Sequence, residues 1–276
     1  MSSMATTLRR TPPLPAVIQA ALIASLLAIA AVCWAVTNDR MGGMDAGPGT
    51  ELGGVGWFLV VWVTMMAAMM LPSLAPIVLG QARIERASAD GPAMATTLVF
   101  VAGYVLAWGA VGLLGYAIVE GARSLDIGFL AWDDGGPYVA GGVIVLAALY
   151  QLTRPKDTCL RHCRSPEMLL SDWRPGPFGA LRMGVDHGAY CVGCCWAMMA
   201  ALFAVGVMSI GWMAFVAALI AAEKLLPWRV GATRTVAILL AVLGLAVAFI
   251  PDDVPGLTIP GSSDSMGTMQ MGMTGR

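Results

Sequence analysis

Val55-Gly56-Trp57-Phe58-Leu59-Val60-Val61-Trp62-Val63-Thr64-Met65-Met66-Ala67-Ala68-Met69-Met70-Leu71-Pro72-Ser73-Leu74-Ala75-Pro76-Ile77-Val78-Leu79 runs for 25 residues without a charged side chain. About 20 mostly apolar residues suffice for a helix to cross the hydrocarbon of a bilayer, so this stretch reads as a membrane span. Six further segments read the same way or nearly so: residues 15–36, 95–119, 137–152, 189–207, 209–226 and 232–250. The composition agrees. Hydrophobic residues make up 58% of the 276 and charged residues only 12%, against about 25% charged in a typical soluble domain. Mean hydropathy is +0.76. Too few charges are present to cover a soluble surface. The fold class expected is therefore all-α, a polytopic transmembrane helix bundle of about seven spans and six at minimum. The net charge of −1, with no basic stripe, excludes a nucleic-acid partner.

Orientation follows from the short loops, where Lys and Arg accumulate on the cytoplasmic side. With the N-terminus inside, Arg9, Arg10, Arg83, Arg86, Arg154, Lys156, Arg161, Arg164, Arg174, Arg182, Lys224, Arg229 and Arg234 fall on inner segments, and only Arg40, Arg123 and Arg276 on outer ones. The expected topology has the N-terminus inside and the C-terminus outside. Residues 1–14 form a cytoplasmic tail, 15–250 one membrane bundle with an inner Cys/His loop at 153–188, and 251–276 an outer Met-rich tail whose composition predicts disorder. The first apolar run is too long for a signal-peptide core and reads as a retained anchor. The location expected is the bacterial inner (plasma) membrane, with the lipid bilayer as first partner.

Five of the six cysteines and both histidines lie between residues 159 and 195. His187, Cys191, Cys194, Cys195, Met198 and Met199 are offset by 0, 4, 7, 8, 11 and 12, one face of a helix. At 1.5 Å per residue this stripe of imidazole, thiols and thioethers climbs about 18 Å. Cys159, His162 and Cys163 stand at spacings of 3 and 4, so a helical turn would bring all three to one side. With His187 they also suit tetrahedral Zn(II), which accepts two thiolates and two imidazoles. In the second span Met65, Met66, Met69 and Met70 form two adjacent rows of thioethers, with Pro72 just beyond. Met41, Met44, Met266, Met269, Met271 and Met273 place more thioethers on the outer side. Each feature also has a plainer reading, because Cys and Met often pack simply as small or flexible apolar residues. Glu223 and Lys224 read first as a local ion pair or a snorkelling lysine, and otherwise as a proton-coupled carboxylate or a group supporting the metal ligands near the cysteine stripe. Asp186 stands ready to orient His187.

Met65-Met66-Ala67-Ala68-Met69-Met70-Leu71-Pro72, Cys159-Leu160-Arg161-His162-Cys163-Arg164-Ser165-Pro166, Gly188-Ala189-Tyr190-Cys191-Val192-Gly193-Cys194-Cys195-Trp196 and Glu223-Lys224-Leu225 together resemble a bacterial family of predicted metal-binding integral membrane proteins of unknown function, sometimes labelled membrane copper chaperones. The resemblance covers about residues 55 to 250. It implies metal binding and carries over no catalytic residue.

Thiolate and thioether ligands select soft ions, Cu(I) first and Zn(II) behind. Methionines outside and in the membrane, with cysteines and histidines inside, make a gradient of soft ligands. The function expected is Cu(I) binding and hand-over across or along the inner membrane, with a soluble metallochaperone or a membrane protein as partner. No ATP-binding loop is present, and the reading favours a trafficking protein over an enzyme. Two alternatives stay open: a membrane thiol-disulfide oxidoreductase exchanging Cys191, Cys194 or Cys195 with Cys159 or Cys163, and a purely structural zinc site.

Overall fold

A computed structural model describes residues 14–41, 53–88, 93–124, 135–165, 176–205, 209–254 and 257. Eight α-helices make up this part of the chain: α1 (Ala16–Met41), α2 (Val55–Ser88), α3 (Ala93–Ser124), α4 (Gly136–Gln151), α5 (Arg154–Arg164), α6 (Gly176–Val205), α7 (Ile210–Leu225) and α8 (Arg229–Phe249). A 3-10 turn, Pro251–Asp253, follows, and no strand occurs among the described residues. Five helices are long and apolar enough to cross a membrane, and six if the bent pair α4–α5 counts as one span. The chain is an all-helical, multi-pass membrane protein. The N-terminal tail with Arg9 and Arg10, the outer Met44, the segment 166–175 and the tail methionines Met266, Met269, Met271 and Met273 lie outside the described residues.

The helices begin and end where local chemistry directs. α4 starts with Pro137 in its first turn, where the missing N–H costs nothing, and at 16 residues it is shorter than a full span. At Leu152–Thr153 the chain bends by 68° into α5. Pro155 sits in the first turn of α5, with Asp157 beside it and Arg161, His162 and Arg164 in the last turn, charges that suit the two ends of the helix dipole. The segment expected to be an inner loop is thus helical at both ends, because α6 already starts at Gly176 and carries His187 and Gly188 within it. α2 runs through Pro72 and Pro76 as one helix, and Ser73 Oγ donates to the Met70 carbonyl at 2.8 Å.

α6 is the central element, packed against α3, α4, α5 and α7. Its approach to α3 is a contact between backbones. A Cβ on Gly184 would overlap the Phe100 carbonyl, and one on Gly103 would overlap the Leu181 carbonyl. Small residues let membrane helices close this far, where packing rather than hydrophobicity drives association. Gly184→Ala is accordingly expected to destabilise the protein by about 1–3 kcal/mol, the usual range for overpacking, read as a lower Tm in detergent. The second tight pair is α4 with α8, where Gly141 faces Gly244. α1 lies chiefly along α2, and the Arg40 guanidinium sits 5.2 Å from the Trp57 ring centroid across their junction.

Candidate metal centre

The register of α6 puts His187, Cys191, Cys194, Cys195, Met198 and Met199 on its buried face, while Tyr190 and Trp196 are exposed. α5 crosses this face. Its own periodicity buries Lys156, Leu160 and Cys163 at i, i+4 and i+7, which carries Cys163 onto the α6 cysteines. Cys163, Cys191 and Cys194 hold their sulfurs within 4.8 Å of one another, and all three are buried. Among the described residues this is the one group of three or more Cys, His, Asp or Glu close enough to hold a metal ion. Cys194 Sγ lies 3.6 Å from Cys163 Sγ and 3.1 Å from the Cys191 carbonyl.

Three further helices close around Cys191. The Tyr104 hydroxyl of α3 shares a hydrogen bond with its sulfur at 3.1 Å. Lys224 of α7 donates to the same sulfur, also at 3.1 Å. The Lys224 Nζ lies 3.3 Å from Ser73 Oγ and 3.9 Å from Met70 Sδ, both on α2. Met70 is thereby one step from the thiols, with the ammonium in between. Met65, Met66 and Met69 are buried along α2 as well.

The remaining predicted residues are placed differently. Cys195 Sγ stands 4.0 Å from Cys191 Sγ and donates back to the Cys191 carbonyl at 2.8 Å, turned to its own helix. Cys159 packs against Gly193, where a Cβ would come 2.6 Å from its sulfur; the glycine is what lets α5 approach. His162 stacks on Tyr190, centroids 4.1 Å apart and planes within 5°, with Nδ1 2.9 Å from the Thr158 carbonyl. His187 is buried between Phe100 and Tyr104, ring centroids 6.1 and 5.9 Å away. Cys159, His162 and Cys163 therefore leave α5 toward three different neighbours. Asp186, 100° around α6 from His187, is exposed and does not share its buried surroundings.

Glu223 and Lys224 are not a local pair. Both Glu223 oxygens accept from Lys156 Nζ at 2.6 Å, and Lys156 also donates to Gln151 Oε1. Lys156 is 0% and Glu223 1% exposed, so α5 and α7 are joined by a fully enclosed ion pair. Arg164 strengthens the junction by donating to the carbonyls of Glu223, at 2.6 Å, and of Leu226, which would otherwise be orphans at the end of α7. Sequence reading missed Tyr104, Ser73, Gln151 and the buried role of Lys156. Only Lys156 carried a signal, through its spacing from Leu160 and Cys163.

A multi-span helical bundle with three enclosed thiols contributed by two helices defines a metal-binding membrane protein. The chain belongs to the PpoB2 family, described as copper chaperone, which matches residues 59–247. That stretch runs from α2 into α8 and contains every residue of the thiol cluster. No curated protein and no solved structure matches the chain.

Proposed function

We propose that the protein binds Cu(I) at Cys163, Cys191 and Cys194 and hands it across or along the bacterial inner membrane, with its N-terminus in the cytoplasm and seven spans. The observation that carries this reading is the convergence of three buried sulfurs from α5 and α6 within 4.8 Å. Three thiolates suit a soft monovalent ion, whereas a closed structural zinc site takes four ligands. Cuprous copper is the cargo. Met70, with Met65, Met66 and Met69 behind it, supplies thioethers on the α2 side, and Met198 and Met199 continue the α6 stripe. Cys159, His162, His187 and Cys195 serve as secondary donors on the way to the cluster, from a soluble metallochaperone or a membrane partner.

The test is the metal content of protein purified anaerobically in detergent, beside a variant with Cys191, Cys194 and Cys195 changed to serine. Copper in the first and none in the second is expected. Zinc retained by the variant would return the structural-zinc reading. No metal in either protein would favour the thiol-disulfide reading, for which the 3.6 Å between Cys163 and Cys194 sulfurs is the relevant observation, and a redox-dependent thiol count would follow.

A further inference from the structure

Lys224 is a cation enclosed within the thiol centre, 8% exposed. Its partners are a thiol (Cys191, 3.1 Å), a hydroxyl (Ser73, 3.3 Å) and a thioether (Met70, 3.9 Å). The neighbouring carboxylate of Glu223 makes no direct ion pair with it, because both of its oxygens accept from Lys156. A buried ammonium ordinarily finds a carboxylate. Here it has found sulfur on two sides, from two helices, in surroundings that suit a soft metal ion.

We propose that Lys224 is a placeholder for a monovalent metal cation, so that on loading the metal takes the place of the ammonium at the Cys191 sulfur. The inference rests on the Cu(I) reading and adds the ionic charge that the site admits. On loading, the Nζ–H···Sγ hydrogen bond to Cys191 breaks and a metal–sulfur bond forms. No electron is transferred. The ammonium keeps its proton and turns on its flexible four-carbon stem toward Ser73 and Met70, which it already touches, and any thiol proton displaced by the metal passes to water. A monovalent ion that displaces one thiol proton leaves the local charge as it was, with the ammonium still in place. A divalent ion that displaces the same single proton leaves one extra positive charge beside an ammonium that has moved only a short way, and in enclosed surroundings that repulsion is weakly screened. Lys224 thus selects against divalent ions at a site whose thiols alone would accept Zn(II).

The experiment uses the full chain in detergent, with Ag(I) as a redox-inert monovalent probe and Zn(II) as the divalent one. The quantity read is the ratio of the two affinities, obtained by chelator competition for the wild type, Lys224→Met and Lys224→Arg. The ratio is expected to fall at least ~10-fold in favour of Zn(II) in Lys224→Met and to hold in Lys224→Arg, which keeps the charge. An unchanged ratio in a folded Lys224→Met protein overturns the proposal, as does an equal fall in Lys224→Arg. If Lys224→Met loses its helical circular dichroism, Lys224→Gln, which retains a donor for Ser73, is read by the same criterion. A wild type that binds no Ag(I) overturns the thiol site itself, whereas Ag(I) binding lost with Cys191→Ser and a ratio indifferent to Lys224 sinks the placeholder alone.

Discussion

Replacing Cys191 with serine is expected to lower Cu(I) affinity on the order of a thousandfold or more, about 4 kcal/mol, while Cys33→Ser, at the half-buried cysteine of α1 outside the thiol cluster, leaves it unchanged. Cys191 is fully buried and stands where five helices meet, touching Tyr104 of α3, Lys224 of α7 and, through that ammonium, Met70 and Ser73 of α2. Its sulfur is within 4.8 Å of those of Cys163 on α5 and Cys194 on its own helix. Serine is smaller and keeps the hydrogen-bonding partners, so the fold is expected to survive. It removes the soft donor, and a hydroxyl is a poor ligand for a soft ion. Cys163→Ser and Cys194→Ser are expected to follow Cys191→Ser in size. Cys195→Ser should cost far less, since its thiol is turned back to the Cys191 carbonyl. Competition against a chromogenic Cu(I) chelator under anaerobic conditions measures the series. Equal losses at Cys195 and Cys191 would count against the three-sulfur centre.

Lys156→Met is expected to destabilise the protein by about 3–5 kcal/mol, the usual consequence of stranding one charge of an enclosed pair. Glu223 would keep its carboxylate at 1% exposure with its lysine gone, and the Gln151 oxygen would lose the same donor. Replacing both charges, Lys156→Met with Glu223→Met, is expected to recover most of the loss, because well-packed apolar residues often substitute for a buried pair without penalty. Thermal unfolding in detergent reads both variants. A double variant no more stable than the single one would mean that the pair acts through specific geometry rather than charge balance. The pair also holds α5 across the end of α7, which keeps Cys163 beside Cys191 and Cys194. Metal affinity of Lys156→Met should therefore fall together with its Tm.

The adjacent residues Glu223 and Lys224 show how far one-dimensional reading carries. Side by side in the sequence they read as a local pair, but neighbours on a helix project about 100° apart. Lys156 is 67 positions from Glu223, and Cys191 is 33 from Lys224. The placement beside the cysteine stripe, held open as the second reading, is the one that Lys224 takes up. The pairing of His187 with Asp186 fails for the same reason, since one faces the core and the other does not.

The α6 stripe was legible because it lies within one helix, where spacing alone decides which side chains share a face. The same holds for the membrane class, for the helices themselves and for the methionine rows of α2, all of which follow from composition and period. The thiol centre is different in kind. Cys163 reaches Cys194 across 31 positions, and Tyr104 reaches Cys191 across 87. These meetings depend on a 68° bend after α4, on glycines that let α3 and α5 close upon α6, and on an ion pair between α5 and α7. Local periodicity sets which face a residue occupies, whereas the partner across that face is chosen by the packing of whole helices. By itself the sequence determined that soft ligands line a membrane helix, and only the tertiary structure decided which three converge and that a lysine stands among them.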